Sequence, residues 1–487
     1  MLNVKFEILS SDEIKKIIIS AFDILANIGM KVTHEPAREL LLDNGCKENG
    51  EMMLYPESLV QEAIHSAPCR FTIYGRDPDY QVKIEPGRVQ IQPMIGRINI
   101  WDQDQKKARP TELADVENLV KIADYCDNYH ILHSGAIMPE IKGIDPQLAH
   151  IEGYIASVRN SRKVIKASCR GGDVARDCIE MASIIAGGRD KLKNNPNVYT
   201  TCNVVSPLTQ AEGMIEGMIE YAKLGLPVDV TSEPQMGATS PINLSGTLAQ
   251  QTAEILSVIV IAQLVNKGTP VFFGTCGAAM DMRTSTIALG GIEAGILNVG
   301  HAQIAQALGI PSRGTGSNTE AKILDIQAGY EKALSLALPA LAGMNMIFYP
   351  GTMDHAKTVS LESLVIDNDI CGMIFRILQG ITVNDRNISL DIIKKVGAGG
   401  HFLGQRQTME DLKIEQYLPS ISDRLDRKKW EEKGAKDLVD RASEKVKDIL
   451  KNHEVLPLPK DIEKELIKFL DAKRKDTKKI KRRISKS

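Results

Sequence analysis

The chain reads as an α/β protein built on a (β/α)8 TIM barrel, with a mixed α+β amino-terminal lead-in and a helical carboxyl-terminal extension. Three observations predict it. From Asp115 onward, short β-prone runs alternate with longer helical stretches; eight such runs follow one another in one direction; and the helical stretches after the fourth and fifth are largely apolar, as layers buried against a sheet are. An open doubly wound sheet is the alternative, and eight units in one direction favour closure. At 487 residues and 43% apolar content the chain can bury a large core and exceeds one ordinary compact domain.

In chain order, Ser10 and Glu13 form a capping box, and Ile14, Ile17, Ile18, Ala21, Phe22 and Leu25 recur at helical spacing until Gly29. Short helices are predicted at 36–44 and 56–66, and extended pieces at 71–74, 89–92 and 98–101. Residues 1–114 are therefore a helical and hairpin lead-in, packed on a barrel of residues 115–410. The barrel strands fall at 129–134, 163–167, 198–203, 227–231, 270–274, 311–314, 344–348 and 401–403. The apolar helices 248–265 and 287–308 must be covered by the protein itself or by a second subunit, so a homo-oligomer is expected. Past Glu410 the chain turns charged: 411–472 is a helical extension, with helices at 430–452 and 461–470. Residues 473–487 form a basic tail without a core, read as disordered.

A net charge of −2 and pI near 6.5 provide no global field for nucleic acid or membrane, which leaves small-molecule chemistry. The eight cysteines lie far apart, without a Cys-x-x-Cys pair or zinc spacing, so reduced thiols are expected. The stretch Met1-Leu-Asn-Val-Lys-Phe-Glu7 has no basic region followed by an apolar run, and no stretch matches a bilayer span free of polar breaks; a cytoplasmic protein is expected.

Barrel enzymes build their sites at the carboxyl ends of the strands. There the sequence supplies His133, Ser168, Asn203, Ser206, Glu233, Thr275, Arg313, Ser317, Asn318, Glu320, Tyr349, Asp354, His355, Phe402 and Gln405. Arg313 opens a glycine-rich loop, and a guanidinium so placed suits a carboxylate. A structural ion pair with Glu320, Asp325 or Glu293 is its alternative use.

The segment from Arg313 to Tyr330, with Gly351-Thr-Met-Asp-His355 and Val396-Gly-Ala-Gly-Gly-His-Phe-Leu-Gly404 downstream, resembles the trimethylamine methyltransferase family. It is most similar to members that lack pyrrolysine and demethylate quaternary amines such as glycine betaine, and order and spacing agree over most of the chain. The resemblance implies methyl transfer from a quaternary ammonium to cobalt(I) of a corrinoid carried by a separate protein. A neutral tertiary amine leaves, so no general acid is required and the site's work is orientation and charge placement. Glycine betaine or proline betaine is the first substrate expectation, carnitine-like compounds the next; every position here is an ordinary residue, which disfavours trimethylamine.

On that reading Arg313, then His355, anchors the carboxylate, with Arg313→Ala weakening capture far more than folding. Phe273, Tyr349 and Phe402 offer faces to the ammonium, and Glu320 completes the substrate-binding set. Strand alternation implies that Phe348 and Tyr349 do not both point into the barrel. Gly399, Gly400 and His401 stand where a corrinoid would approach, the glycines following a helix rather than a strand, unlike a dinucleotide loop. No Asp-x-His-x-x-Gly pattern or metal-ligand trio occurs, so the corrinoid comes with its partner and no metal is bound. Two rivals stand beside this: a barrel lyase or hydrolase of small carboxylic acids with Glu320 or Asp354 as base, and a non-catalytic betaine-binding protein.

Overall fold

The computed structural model describes residues 5–134 and 143–484. Residues 1–4 of the amino-terminal stretch and 485–487 of the basic tail lie outside the described residues. Eight parallel strands form the central sheet: β1 (Gln90–Gln92), β2 (Ile131–His133), β3 (Val164–Ala167), β4 (Val198–Val204), β5 (Val228–Ser232), β6 (Val271–Thr275), β7 (Ser312–Thr315) and β8 (Met346–Phe348). They follow one another from β2 to β8, and β1 pairs with β8 through Met346↔Gln90 and Phe348↔Gln92. At the seam, the His130 amide donates to the Ile91 carbonyl at 2.9 Å and the Ile91 amide to His130 Nδ1 at 3.0 Å. Burial pushes His130 down to about 3, which keeps that nitrogen an acceptor.

Seven strands stand where the sequence reading puts them, and the eighth does not. Residues 401–403 form no strand; the Phe402 carbonyl accepts from the Gln405 amide at 3.0 Å and the Thr408 hydroxyl at 2.8 Å, which starts the helix Arg406–Glu415. The barrel draws its missing strand from the lead-in, at Gln90–Gln92. Those glutamines point inward: Gln92 Oε1 accepts from Tyr199 Oη at 2.6 Å, and Gln90 Nε2 donates to the Lys83 carbonyl at 3.0 Å.

The barrel interior is layered. Ile131, Val164, Tyr199, Phe272 and Met346 form an apolar floor, sealed from below by Ile73, Val82 and Ile84 of the hairpin Phe71–Tyr74 and Gln81–Ile84. Two residues further along each strand come His133, Lys166, Thr201, Gly274 and Phe348, so the next layer is largely polar. Outside, the helix Leu244–Val265 is buried along almost its whole length beneath the lead-in helices Ser11–Asp23 and Glu57–Ser66. By length and composition it could cross a membrane; here its apolar surface is covered within the chain. Burying each of its Leu, Ile and Val side chains contributes about 1.5–3 kcal/mol.

The carboxyl-terminal segment also differs from expectation, since the helix Lys460–Ile484 runs through most of the basic tail. Leu466 and Leu470 are buried, Arg474 pairs with Glu152 at 3.0 Å, and Lys473 pairs with Asp177. Acidic side chains on the helices Ala149–Asn160 and Gly172–Ala186 thus give the tail's first basic residues partners that composition cannot reveal. All eight cysteines are unpaired.

Candidate active site

Strands β2 to β8 deliver one connected set of side chains into the polar layer. Arg313 of β7 is 2% exposed and lies beside Asp229 of β5, with Nε 3.4 Å from Oδ2. Its Nη1 lies 3.0 Å from Cys276 Sγ and donates to the Thr275 carbonyl at 3.4 Å. The second carboxylate contacts come from within: Thr201 Oγ1 donates to Asp229 Oδ2 at 2.9 Å and Thr231 Oγ1 to Oδ1 at 2.8 Å. Gly274 makes this possible, because a Cβ there would overlap both the Asp229 carboxylate and the Thr231 hydroxyl. The alternative use foreseen for Arg313, a structural ion pair, is therefore present, with Asp229 as partner rather than Glu320, Asp325 or Glu293.

A second cation occupies the same layer. Lys166 of β3 is 6% exposed, and its Nζ stands 5.4 Å from the Phe348 ring centroid. Among the described residues it has neither a hydrogen-bond partner nor an ion pair. Burial, reinforced by Arg313, pulls its pKa down to about 8. Beside it by strand register is His133, held well below its usual range first by burial and then by Lys166, and hence neutral. Its Nδ1 and the Nε2 of Gln92 are buried without partners. Such orphaned polar atoms are unfavourable in a closed core and point to a place where a polar ligand is received.

The aromatic residues sort differently from the alternation rule. Phe348 and Tyr349 stack with centroids 4.4 Å apart, and His133 stacks on Phe348 at 5.7 Å. Both rings reach the mouth because Tyr349 has φ of 100°, a left-handed conformation that breaks the strand's alternation. The loop behind it is held by a buried pair: Lys332 Nζ donates to Asp367 Oδ2 at 2.8 Å and to the Thr352 carbonyl at 2.6 Å, while the Gly351 amide donates to Asp367 Oδ2. Protein cations already lie against these faces, Arg313 at 4.5 Å from Phe348 and Arg97 at 5.3 Å from Tyr349. At the rim, exposed Glu233 follows β5 and adds negative potential at Tyr349 and Cys276.

Several predicted site residues stand elsewhere. Phe273 faces outward and stacks on His301 at 4.6 Å, because in β6 it is Phe272 that takes the inward side of the pleat. Phe402 is 44% exposed and lines a groove with Ile381, Ser389 and Thr408 outside the strand ends. Gly399 and Gly400 belong to the turn closing the helix Leu390–Val396, where a Cβ at Gly400 would overlap the Val396 carbonyl, and His401 beside them is exposed. His355 and Glu320 do come together, 3.9 Å apart, in the loops after β8 and β7. Their hydrogen bonds hold the protein itself: His355 Nδ1 donates to the Ile287 carbonyl at 2.8 Å, its Nε2 accepts from Lys322 at 3.2 Å, and Glu320 accepts from the Gly290 amide at 2.8 Å. Burial raises the Glu320 pKa, yet no acid–base pair with Arg313 is formed. A cavity of about 420 Å³ near Pro86, Gln306 and Pro311 lies at the amino-terminal ends of the strands, opposite the mouth.

Three residues of the polar layer escape a search of strand ends: Lys166, Asp229 and Gln92. Their signal was present, since Lys166 interrupts Val-Ile-Lys-Ala and Asp229 interrupts Val-Asp-Val. A charge inside an otherwise apolar parallel strand has no solvent-facing side to occupy.

A closed barrel whose carboxyl-terminal mouth holds buried charges and orphaned donors is the architecture of an enzyme acting on a small polar molecule. The chain belongs to the trimethylamine methyltransferase family, whose model matches residues 3–478. It is 33% identical over 473 residues to the glycine betaine methyltransferase of Desulfitobacterium hafniense strain Y51, covering 97% of this chain and 98% of that protein. The trimethylamine methyltransferase MttB of Methanosarcina thermophila is 33% identical over 468 residues, covering 95% and 96% of the two chains. The crystal structure of the Methanosarcina barkeri monomethylamine methyltransferase shares the fold, with a TM-score of 0.53 at 12% identity over 92% of this chain and 90% of that one. The chain is thus a methyltransferase on a (β/α)8 barrel.

Proposed function

We propose that this methyltransferase demethylates a small zwitterionic quaternary amine, glycine betaine or proline betaine before carnitine-like compounds, and delivers the methyl group to cobalt(I) of a corrinoid on a separate protein. One observation carries the choice of a zwitterion: among the described residues, the buried charges of the polar layer are two cations, Lys166 and Arg313, and one carboxylate, Asp229. A layer with surplus positive charge attracts an anionic group and repels a bare methylated ammonium such as trimethylammonium. The family match and the 33% identity to a glycine betaine methyltransferase support methyl transfer from a methylated amine, and trimethylamine methyltransferases match at the same identity.

The methyl carbon passes to the electron pair of cobalt(I), and the C–N bond breaks with its pair on nitrogen. The leaving amine is neutral and needs no proton, so the chain's residues bind, orient and exclude water. Stacked Phe348 and Tyr349 form a dry wall, and Glu233 at the rim stabilises the positive nitrogen. The pair Lys332–Asp367 keeps Tyr349 in its strained conformation, so the wall is preorganised. A cobalt(I) acceptor and eight unpaired cysteines suit a reducing cytoplasm. With methyl-13C glycine betaine and reduced cobalamin, NMR is expected to show methyl-cobalt(III) and dimethylglycine in equal amounts. Turnover of trimethylamine alone would overturn the proposal.

A further inference from the structure

We infer that Lys166 takes the substrate carboxylate at the inner end of the site, so that the ammonium and its methyl groups face the mouth. This rests on the zwitterion reading and adds to it an orientation and a specificity-determining residue. Among the described residues Lys166 is the buried cation of the layer with no carboxylate in ion-pair contact, whereas Arg313 lies beside Asp229. A buried ammonium without a partner is costly, and chains retain such a group where a ligand completes it. Below Lys166, among the described residues, lies the apolar floor of Val164, Tyr199 and Phe272, sealed by the hairpin. A carboxylate on Lys166 is therefore the innermost part of the ligand.

The reaction requires this direction. The acceptor is carried by another protein and can approach only from the open end, so the methyl carbon must point outward. Carboxylate-in, ammonium-out satisfies that, and it matches the polarity of the site: Lys166 and Arg313 at depth, Glu233 at the rim beside Tyr349. Unpaired His133 Nδ1 and Gln92 Nε2 belong to the same layer and can bond the carboxylate oxygens that Lys166 leaves free.

A lysine that titrates near neutral pH leaves a signature. The groups acting on Lys166 are Arg313 from β7, Asp229 from β5, Cys169 and Cys276 after β3 and β6, and His133 from β2. With its pKa at about 8, Lys166 loses its charge as pH rises through that value, and carboxylate affinity falls with it. An arginine at the same position stays charged throughout.

The test is calorimetric binding to the full chain of three probes: glycine betaine, tetramethylammonium, which lacks the carboxylate, and 3,3-dimethylbutyrate, which lacks the charge on nitrogen. Lys166→Met is expected to weaken betaine by about 30-fold or more and to abolish dimethylbutyrate binding, while tetramethylammonium, relieved of a like charge, binds as well as or better than to wild type. Wild-type betaine affinity is expected to fall above about pH 8, and Lys166→Arg to hold its affinity over that range. Betaine bound equally by wild type and Lys166→Met, or a flat wild-type profile from pH 7 to 10, would overturn the assignment while leaving the zwitterion reading intact. Binding of tetramethylammonium without betaine by the wild type would overturn both. Should Lys166→Met fail to fold, the wild-type profile and Lys166→Arg decide.

Discussion

Asp229 and Arg313 are held together where Gly274 leaves them room, and single residues of this layer are where stability and function separate most clearly. Arg313→Ala leaves Asp229 buried beside a void, so its expected effect is a loss of about 3–5 kcal/mol in denaturant unfolding. That reverses the expectation, formed from the strand-end position alone, that this substitution affects capture more than folding. Gly274→Ala is expected to cost about 1–3 kcal/mol by the same assay, because the added methyl group pushes on Asp229 and Thr231. Lys166→Met has the opposite sign. Its folded pKa of about 8 lies below the unfolded value, so the penalty for burying its charge, of order 3 kcal/mol, is full below pH 8 and fades as pH rises towards 10.5. The variant is expected to melt above wild type at pH 7, with an advantage that shrinks at pH 10. His355→Ala, by contrast, removes a hydrogen bond to Ile287 and should leave betaine affinity within about twofold, measured by calorimetry.

At the scale of elements, seven of the barrel strands were legible because each is a short β-prone run set before a helical period. The eighth was not, for two physical reasons. Gln90 and Gln92 face a polar interior, so β1 reads as a half-exposed hairpin strand, and its partner β8 lies more than 250 residues away in the chain, a separation no local pattern encodes. The apparent alternative, Phe402-Leu403, is apolar but belongs to a turn entering a helix. Tyr349 escaped the alternation rule because nothing local announces a tyrosine at φ of 100°. The lead-in also covers the helix Leu244–Val265. A chain beginning at residue 115 is therefore expected to lack both a barrel strand and that cover, and to be recovered aggregated rather than cooperatively folded; a sharp unfolding transition for that fragment would argue otherwise.

For the whole molecule, the family was legible from three motif blocks and their order and the barrel from eight β-prone runs alternating with helical stretches, while the chemistry of the site was not. Arg313 was visible because it opens a glycine-rich loop; Lys166 and Asp229 were visible as charges inside apolar strands, but their role appears only once the strands form a barrel and face inward together. On the proposed reading, a buried layer whose described side chains carry more positive than negative charge selects a carboxylate-bearing quaternary amine. The most direct test is kcat/KM for glycine betaine against tetramethylammonium, with reduced cobalamin as acceptor and the cobalt(I) absorbance as readout. Discrimination of about 100-fold or more in favour of glycine betaine is the predicted result, since a site built for a carboxylate leaves buried cations unpaired when that group is missing. Equal rates, or a preference for tetramethylammonium, would contradict it.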